Sequence, residues 1–240
     1  QDGRAVIWSS SRGQVHHEIK VGDSWVENIS WSQHGHWLAI SCGRRVSVYE
    51  GNNNQIWQSD DHPSTISAID WWSSQELVTT CYGQVAFFDI PTGDLRQQLN
   101  WKGSLVSMAL NRDSNIVACA SQDNSVHFWR RSTAEDSTMS GYPGKPSIIT
   151  FNNSGTLLAT TGGNNVTVWS FEGDGPEGTE PGVLAFHEKF LTTVTFSHNG
   201  KYLASGSRDA VIVVWLVQQQ GNGQPVGISL VKGSVAALLW

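Results

Sequence analysis

Residues 191–215 read LTTVTFSHNGKYLASGSRDAVIVVW. Polar and apolar side chains alternate up to Phe196, and a polar turn, SHNGK, follows. A second run of small and apolar residues leaves Tyr202, and a third, β-branched run closes on Trp215. Period-two alternation broken by turn residues predicts short antiparallel strands in series.

The same unit recurs along the chain. β-Branched runs close on an aromatic at Trp8, Tyr49, Phe88, Trp129, Trp169 and Trp215, at intervals of 41, 39, 41, 40 and 46 residues. Ahead of each of the last five lies an alternating run ending at Trp31, Trp71, Leu110, Phe151 or Phe196, always 17 to 19 residues before its anchor. Constant spacing implies constant hairpin geometry. A period near forty predicts a radial or stacked repeat whose unit is four strands: inner, second, third and a more polar outer one. Variation gathers in and after the outer strand, where RRSTAEDSTMSGYPGK and FEGDGPEGTEPG are the longest polar inserts.

Composition narrows the function classes. The 240 residues are 39% hydrophobic and 15% charged, with 24 Gly and 12 Trp, which suits one folded all-β domain. A net charge of −6 disfavours nucleic acid as a partner, because phosphate binding needs a basic surface. No run of about 18 apolar residues exists, so no membrane-spanning helix is expected. Cys42, Cys81 and Cys119 are expected in equivalent positions of successive repeats, just before the third strand; they form no CxxC and are expected as small buried side chains.

The units resemble WD repeats, which implies a β-propeller of four-stranded antiparallel blades and a role in protein binding. HEKFLTTVTFSHNGKYLASGSRDAVIVVW, residues 187–215, carries the resemblance best. Its His187, Asp209 and Trp215, with Ser205 or Ser207, match the residues that lock a blade through a hydrogen-bond series in that family. His62 matches the His position of a repeat that ends on Phe88, so its series would be incomplete. Asp123 with Trp129, and Asp2 with Trp8, match the Asp and Trp positions. No literal Trp-Asp pair occurs, and no Gly-His pair stands ahead of an inner strand. MSGYPGK, GGNNVTVWSFEGDGPEGTEP and HEKFLTTVTF are also similar to bacterial free-standing WD-repeat proteins of unassigned activity, which implies a bacterial, cytoplasmic protein.

The resulting organisation is a single propeller domain over 1–240. A partial blade spans 1–22. Blades follow over about 23–60, 61–100, 101–143, 144–186 and 187–232, and a partial inner strand over 233–240. Joining Trp240 to Trp8 leaves 8 residues where 17 to 19 are needed, so the terminal blade is expected to lack one strand. That pattern suits a piece of a six- or seven-bladed ring, with self-association open to the strand-deficient blade.

No catalytic, cofactor or metal site is expected. His16 and His17 are neighbours on a strand and should face opposite ways. His34 and His36 sit in the SQHGH turn and are expected to have no Cys or carboxylate close by. GxSxG and HExxH are missing, and the acidic insert with Asp174, Glu177 and Glu180 reads as a solvated loop rather than a calcium loop. What remains is a rim. Residues entering the inner strands (Trp25, Thr65, Ser104, Lys145, Phe190) and residues before the third strands (Arg44, Tyr82, Gln122, Arg208) are expected on one face. They would form a site for a protein or peptide. The competing expectation is that Trp25 and Phe190 plug gaps between blades. Two alternatives stand beside it: a sensor or regulatory domain of a larger protein, and, less favoured, a propeller enzyme with a central-channel site.

Overall fold

A computed structural model describes residues 2–51 and 53–240. Every regular element among them is a β-strand, and no helix is long and apolar enough to cross a membrane. The chain divides into two compact units, Gln1–Val106 and Ser107–Trp240.

In the first unit, β1 (Arg4–Ser9) pairs with β2 (Gln14–Lys20) as a two-stranded sheet. A four-stranded antiparallel sheet follows in chain order: β3 (Val26–Trp31), β4 (Trp37–Cys42), β5 (Arg45–Glu50) and β6 (Gln55–Gln58). In the next repeat, β7 (Ala68–Trp71) lies beside β8 (Glu76–Asp89), which serves as both second and third strand. Residues 77–80 of β8 pair with β7, and residues 82–88 pair with the start of β9 (Leu95–Asn111). Gly83, at φ 86°, makes the bend that lets pairing run through what the sequence reads as a turn.

β9 ends in the second unit, where its last residues act as inner strand for β10 (Ile116–Ser121), β11 (Val126–Arg130) and β12 (Glu135–Met139). Two four-stranded antiparallel sheets complete it. One holds β13 (Ile149–Phe151), β14 (Leu157–Thr160), β15 (Val166–Ser170) and β16 (Gly182–Leu184). The other holds β17 (Leu191–Phe196), β18 (Tyr202–Ser207), β19 (Val211–Val217) and β20 (Gly223–Leu230).

The strands follow the residues. Second strands carry small apolar side chains and are covered on both faces; IVACAS of β10 is buried throughout. Outer strands such as QVHHEIK and EDSTM stay mostly exposed. β20 accommodates Pro225 because an outer strand needs ladder partners on one side only. Between inner and second strands, the N–H groups of Gly35, Gly155 and Gly200 donate to the carbonyls of Ser32, Asn152 and Ser197. Each glycine has φ 68°, which a Cβ would resist, and this explains the Gly in SQHGH, NNSGT and SHNGK.

Each core cluster joins consecutive blades. Leu157, Ala159, Val166 and Val168 pack on Leu191, Val194, Phe196 and Leu203 in the second unit. Ala39, Val46 and Val48 pack on Ile69, Trp71 and Leu77 in the first. Second and third strands of one blade thus cover the inner strand of the next.

Two expectations need correction. Residues 233–240 form no strand, because no second strand among the described residues pairs with them. They lie beside β17 instead: Thr192 Oγ1 donates to the Val235 carbonyl, and Trp240 Nε1 donates to Thr195 O at 3.1 Å while its ring stacks on Tyr202. The three cysteines are also not equivalent. Leu38 faces Tyr49 and Val117 faces Trp129, so Cys119 sits two residues earlier in its strand than Cys42 does in its own. Cys81 and Cys119 are buried; Cys42 is partly exposed.

Candidate functional site

The best-matched repeat builds a complete polar series. His187 is buried, and its Nδ1 lies 3.1 Å from the Asp209 carboxylate; its Nε2 lies 2.8 Å from Ser205 Oγ. Trp215 Nε1 donates to the same Ser205 oxygen at 2.8 Å. A carboxylate accepts only, so Nδ1 carries the proton and Nε2 accepts from the serine. Ser205 therefore fills the serine role, while Ser207 donates to Lys189 O. Burial opposes ionisation of Asp209, but N–H donors from Val211 and Glu188 and the His187 ring outweigh it and hold its pKa below the ordinary value.

The other repeats are variations. His62 reaches Arg44 O through Nδ1 at 3.1 Å and Thr79 Oγ1 through Nε2 at 2.9 Å; burial pushes its pKa down. The series stops there, since Phe88 has no N–H and offers only its ring, edge-on at 5.8 Å. Asp123 closes its own turn on Ser125 at 2.6 Å, and buried Trp129 packs against the His127 ring. Asp2 accepts from Arg4 N. Sequence reading missed a third lock: Trp169 Nε1 donates to the Tyr142 hydroxyl at 2.7 Å, and that oxygen is 3.0 Å from Thr160 Oγ1. A visible signal existed, because Tyr142 precedes Thr160 by 18 residues, as His187 precedes Ser205.

The rim residues gather within each unit. In the first, Gly43, next to Arg44, receives the Ile66 N–H, next to Thr65. Tyr82 N–H donates to Ser64 Oγ at 2.9 Å, and Tyr82 is the register partner of Ser104. Trp25 follows Ser24, which lies against Gly43. In the second unit, Arg208 N–H donates to Phe190 O, and the Phe190 ring lies beside Gly144, the neighbour of Lys145. Gln122 stands exposed at the end of β10. Trp25 and Phe190 are 60% and 58% exposed, so neither ring is sunk between blades.

The histidines depart from expectation in two places. The ladder between β1 and β2 shifts register at His16, a bulge that brings the His16 and His17 rings to 4.1 Å rather than to opposite faces. His34 and His36 share a cleft with Glu50, a carboxylate distant in sequence. Even so, no three His, Cys, Asp or Glu among the described residues come together as metal ligands would. The acidic insert is not simply solvated: Arg130 Nη1 pairs with Glu177 at 2.5 Å, Arg130 Nη2 donates to Asp174 O, and Ser137 donates to Glu177. This pinning walls a cavity of about 550 Å³ lined by Thr138, Tyr142, Gly163, Thr167 and Glu180.

Residues 94–130 and 178–215 match the family described as WD domain, G-beta repeat. Transducin beta-like protein 3 of Mus musculus is 22% identical over 206 residues, covering 82% of this chain and 25% of that protein. Actin-interacting protein 1 of Caenorhabditis elegans is 26% identical over 171 residues, covering 68% and 27%. Probable cytosolic iron-sulfur protein assembly protein 1 of Mycosarcoma maydis is 33% identical over 129 residues, covering 54% and 24%. The chain thus spans about a quarter of the length of the curated relatives it matches. The crystal structure of RRP9 WD40 repeats superposes with a TM-score of 0.81 at 15% identity, over 98% of this chain and 77% of that one. The fold is that of a β-propeller.

Proposed function

We propose that this chain is a non-catalytic scaffold whose rim binds a protein or peptide. The carrying observation is the exposure of Trp25 and Phe190, the second accepting through its carbonyl from the N–H of exposed Arg208. Aromatic and Arg side chains dominate interface energies when a partner desolvates them. Hydrogen-bonded blades hold them in place, so binding orders little of the scaffold itself. The names of two relatives, an actin-interacting protein and an assembly protein, fit the same class. A cytoplasmic location and kinship with bacterial free-standing repeat proteins rest on the sequence stretches alone. A second reading, a regulatory or sensor domain of a larger protein, draws support from the quarter-length match to relatives. A central-channel enzyme is the least supported, and neither nucleic acid nor membrane suits the acidic composition.

Selection of displayed peptides against the whole chain tests the rim. Selected binders should lose roughly 30-fold in affinity on Phe190→Ala or Arg208→Ala, the scale of an interface hot spot. Binders indifferent to Trp25→Ala, Phe190→Ala and Arg208→Ala alike would sink the reading.

A further inference from the structure

The rim of the second unit carries charge of the opposite sign to the chain as a whole. Lys145, Lys189 and Arg208 are exposed, and among the described residues none of their side chains makes a hydrogen bond or an ion pair. Other cations of that unit are engaged: Arg130 pairs with Glu177, and the Lys201 ammonium lies over the Tyr202 ring at 5.6 Å. The chain has 21 Asp and Glu against 15 Lys and Arg, so three spare cations on one rim stand against its composition.

The backbone gathers them about Phe190. Arg208 N–H donates to Phe190 O, and Ser207 Oγ donates to Lys189 O at 2.9 Å, so the turn before β19 lies against the entry to β17. Leu191 N–H donates to Gly163 O in the preceding blade, which fixes that entry across the blade boundary. The Phe190 ring lies against the same neighbour, with Cε1 3.8 Å from where a Cβ on Gly144 would stand, next to Lys145. Lys145 and Phe190 are themselves equivalent, each six residues before the end of its inner strand, at Phe151 and Phe196. Phe190, 58% exposed, is thus flanked by Lys189 in sequence, by Arg208 through its carbonyl and by the Lys145 segment through its ring.

The carboxylates of these segments do not answer that charge. Asp209 is occupied, accepting from the His187 ring and from the N–H groups of Glu188 and Val211. Glu188 is exposed and stands alone against three cations. The arginines at the turn before β5 in the first unit are, by contrast, engaged: Arg44 donates to His62 O and Arg45 pairs with Asp61.

On the reading of the rim as a peptide site, we infer that the second unit selects an acidic segment, with Asp or Glu flanking an apolar residue that covers the Phe190 ring. Complementary charge speeds encounter and rejects basic partners. The exposed ring supplies apolar area at the centre of the patch, where hot spots form. A short segment also suits the surroundings, since a long polyanion such as RNA would run from the patch onto a protein of net charge −6.

Displayed peptides with a fixed central Leu and random flanks, selected against the whole 240-residue protein, test the assignment. Binders that Phe190→Ala weakens should be enriched about threefold in Asp and Glu over the input library and depleted of Lys and Arg. A synthetic copy of the commonest such binder, followed by fluorescence anisotropy, should lose about tenfold in affinity on Lys189→Glu or Arg208→Glu, less on Lys189→Gln, and about tenfold from low to high salt. These sites are exposed, so the melting temperature should hold in each variant. Phe190-dependent binders with no acidic excess, or equal losses for Lys189→Glu and Lys189→Gln, would overturn the inference while leaving the rim as a binding surface. Binders that no rim substitution weakens would remove both. Single-stranded oligouridine that binds more tightly than the acidic peptide, and that Lys189→Glu releases, would assign the patch to nucleic acid and overturn the inference as well.

Discussion

Trp215→Ala is expected to destabilise the second unit by about 3–5 kcal/mol, the range for deleting a fully buried aromatic side chain. Trp215 is 1% exposed and packs in the cluster with Leu191, Phe196, Leu203 and Val213. Its loss opens a cavity and also strips Ser205 of a donor inside the buried series to His187 and Asp209. Trp215→Phe keeps most of the volume and loses the N–H, so a smaller loss is expected, about 1–3 kcal/mol. Trp8→Ala, at the same place in the repeat but exposed, should stay within about 0.5 kcal/mol. Urea midpoints of the three variants check the order. Equal losses at Trp8 and Trp215 would mean that burial does not set the worth of an anchor.

A second large effect is expected at high pH. Burial pushes the Tyr142 hydroxyl from 10.0 up to about 12, opposed by its bonds to Thr160 and Trp169. The folded pKa lies above the unfolded one, so the folded state holds its proton longer. The contribution is intact below pH 10 and is lost as pH rises through about 12, a swing of about 3 kcal/mol at one kcal-scale step per pKa unit. Denaturation followed from pH 9 to 12 should show this fall, and Tyr142→Phe should flatten it. The same variant at pH 7 leaves the Trp169 N–H without its acceptor, costing about 1–3 kcal/mol. An unchanged pH slope in Tyr142→Phe would mean that another group, such as Tyr49, governs the alkaline limb; burial raises its pKa too.

The locks show how far sequence reading carries. His187, Asp209 and Trp215 were legible because their residue types match a known pattern at a fixed spacing. Tyr142 was not read, although its spacing to Thr160 is the same, because the position was sought as histidine. What the site requires is a donor–acceptor group of the right reach, and phenol and imidazole both meet that requirement. Choosing Ser205 over Ser207 needed coordinates. Both are buried on one strand, and only the direction of each hydroxyl separates a relay from a bond to Lys189.

The surface beside β1 divides in the same way. Counting residues along the repeats does not show that Trp8, Ile29 and Trp31 lie open together. Nor could counting show that residues 233–240 decline to form a strand.

By itself, then, the sequence determined the repeat, the all-β class, the strand order within each blade and the places of the turns between inner and second strands. These follow from side-chain periodicity and backbone preference, which act over a few residues. Tertiary structure alone decided which anchors are buried, which hydroxyl completes each lock, that Arg130 pins an insert 47 residues away, and that the His16 bulge turns two rings together. Each of these depends on what lies against a residue from a distant part of the chain, and periodicity holds no information about that neighbour.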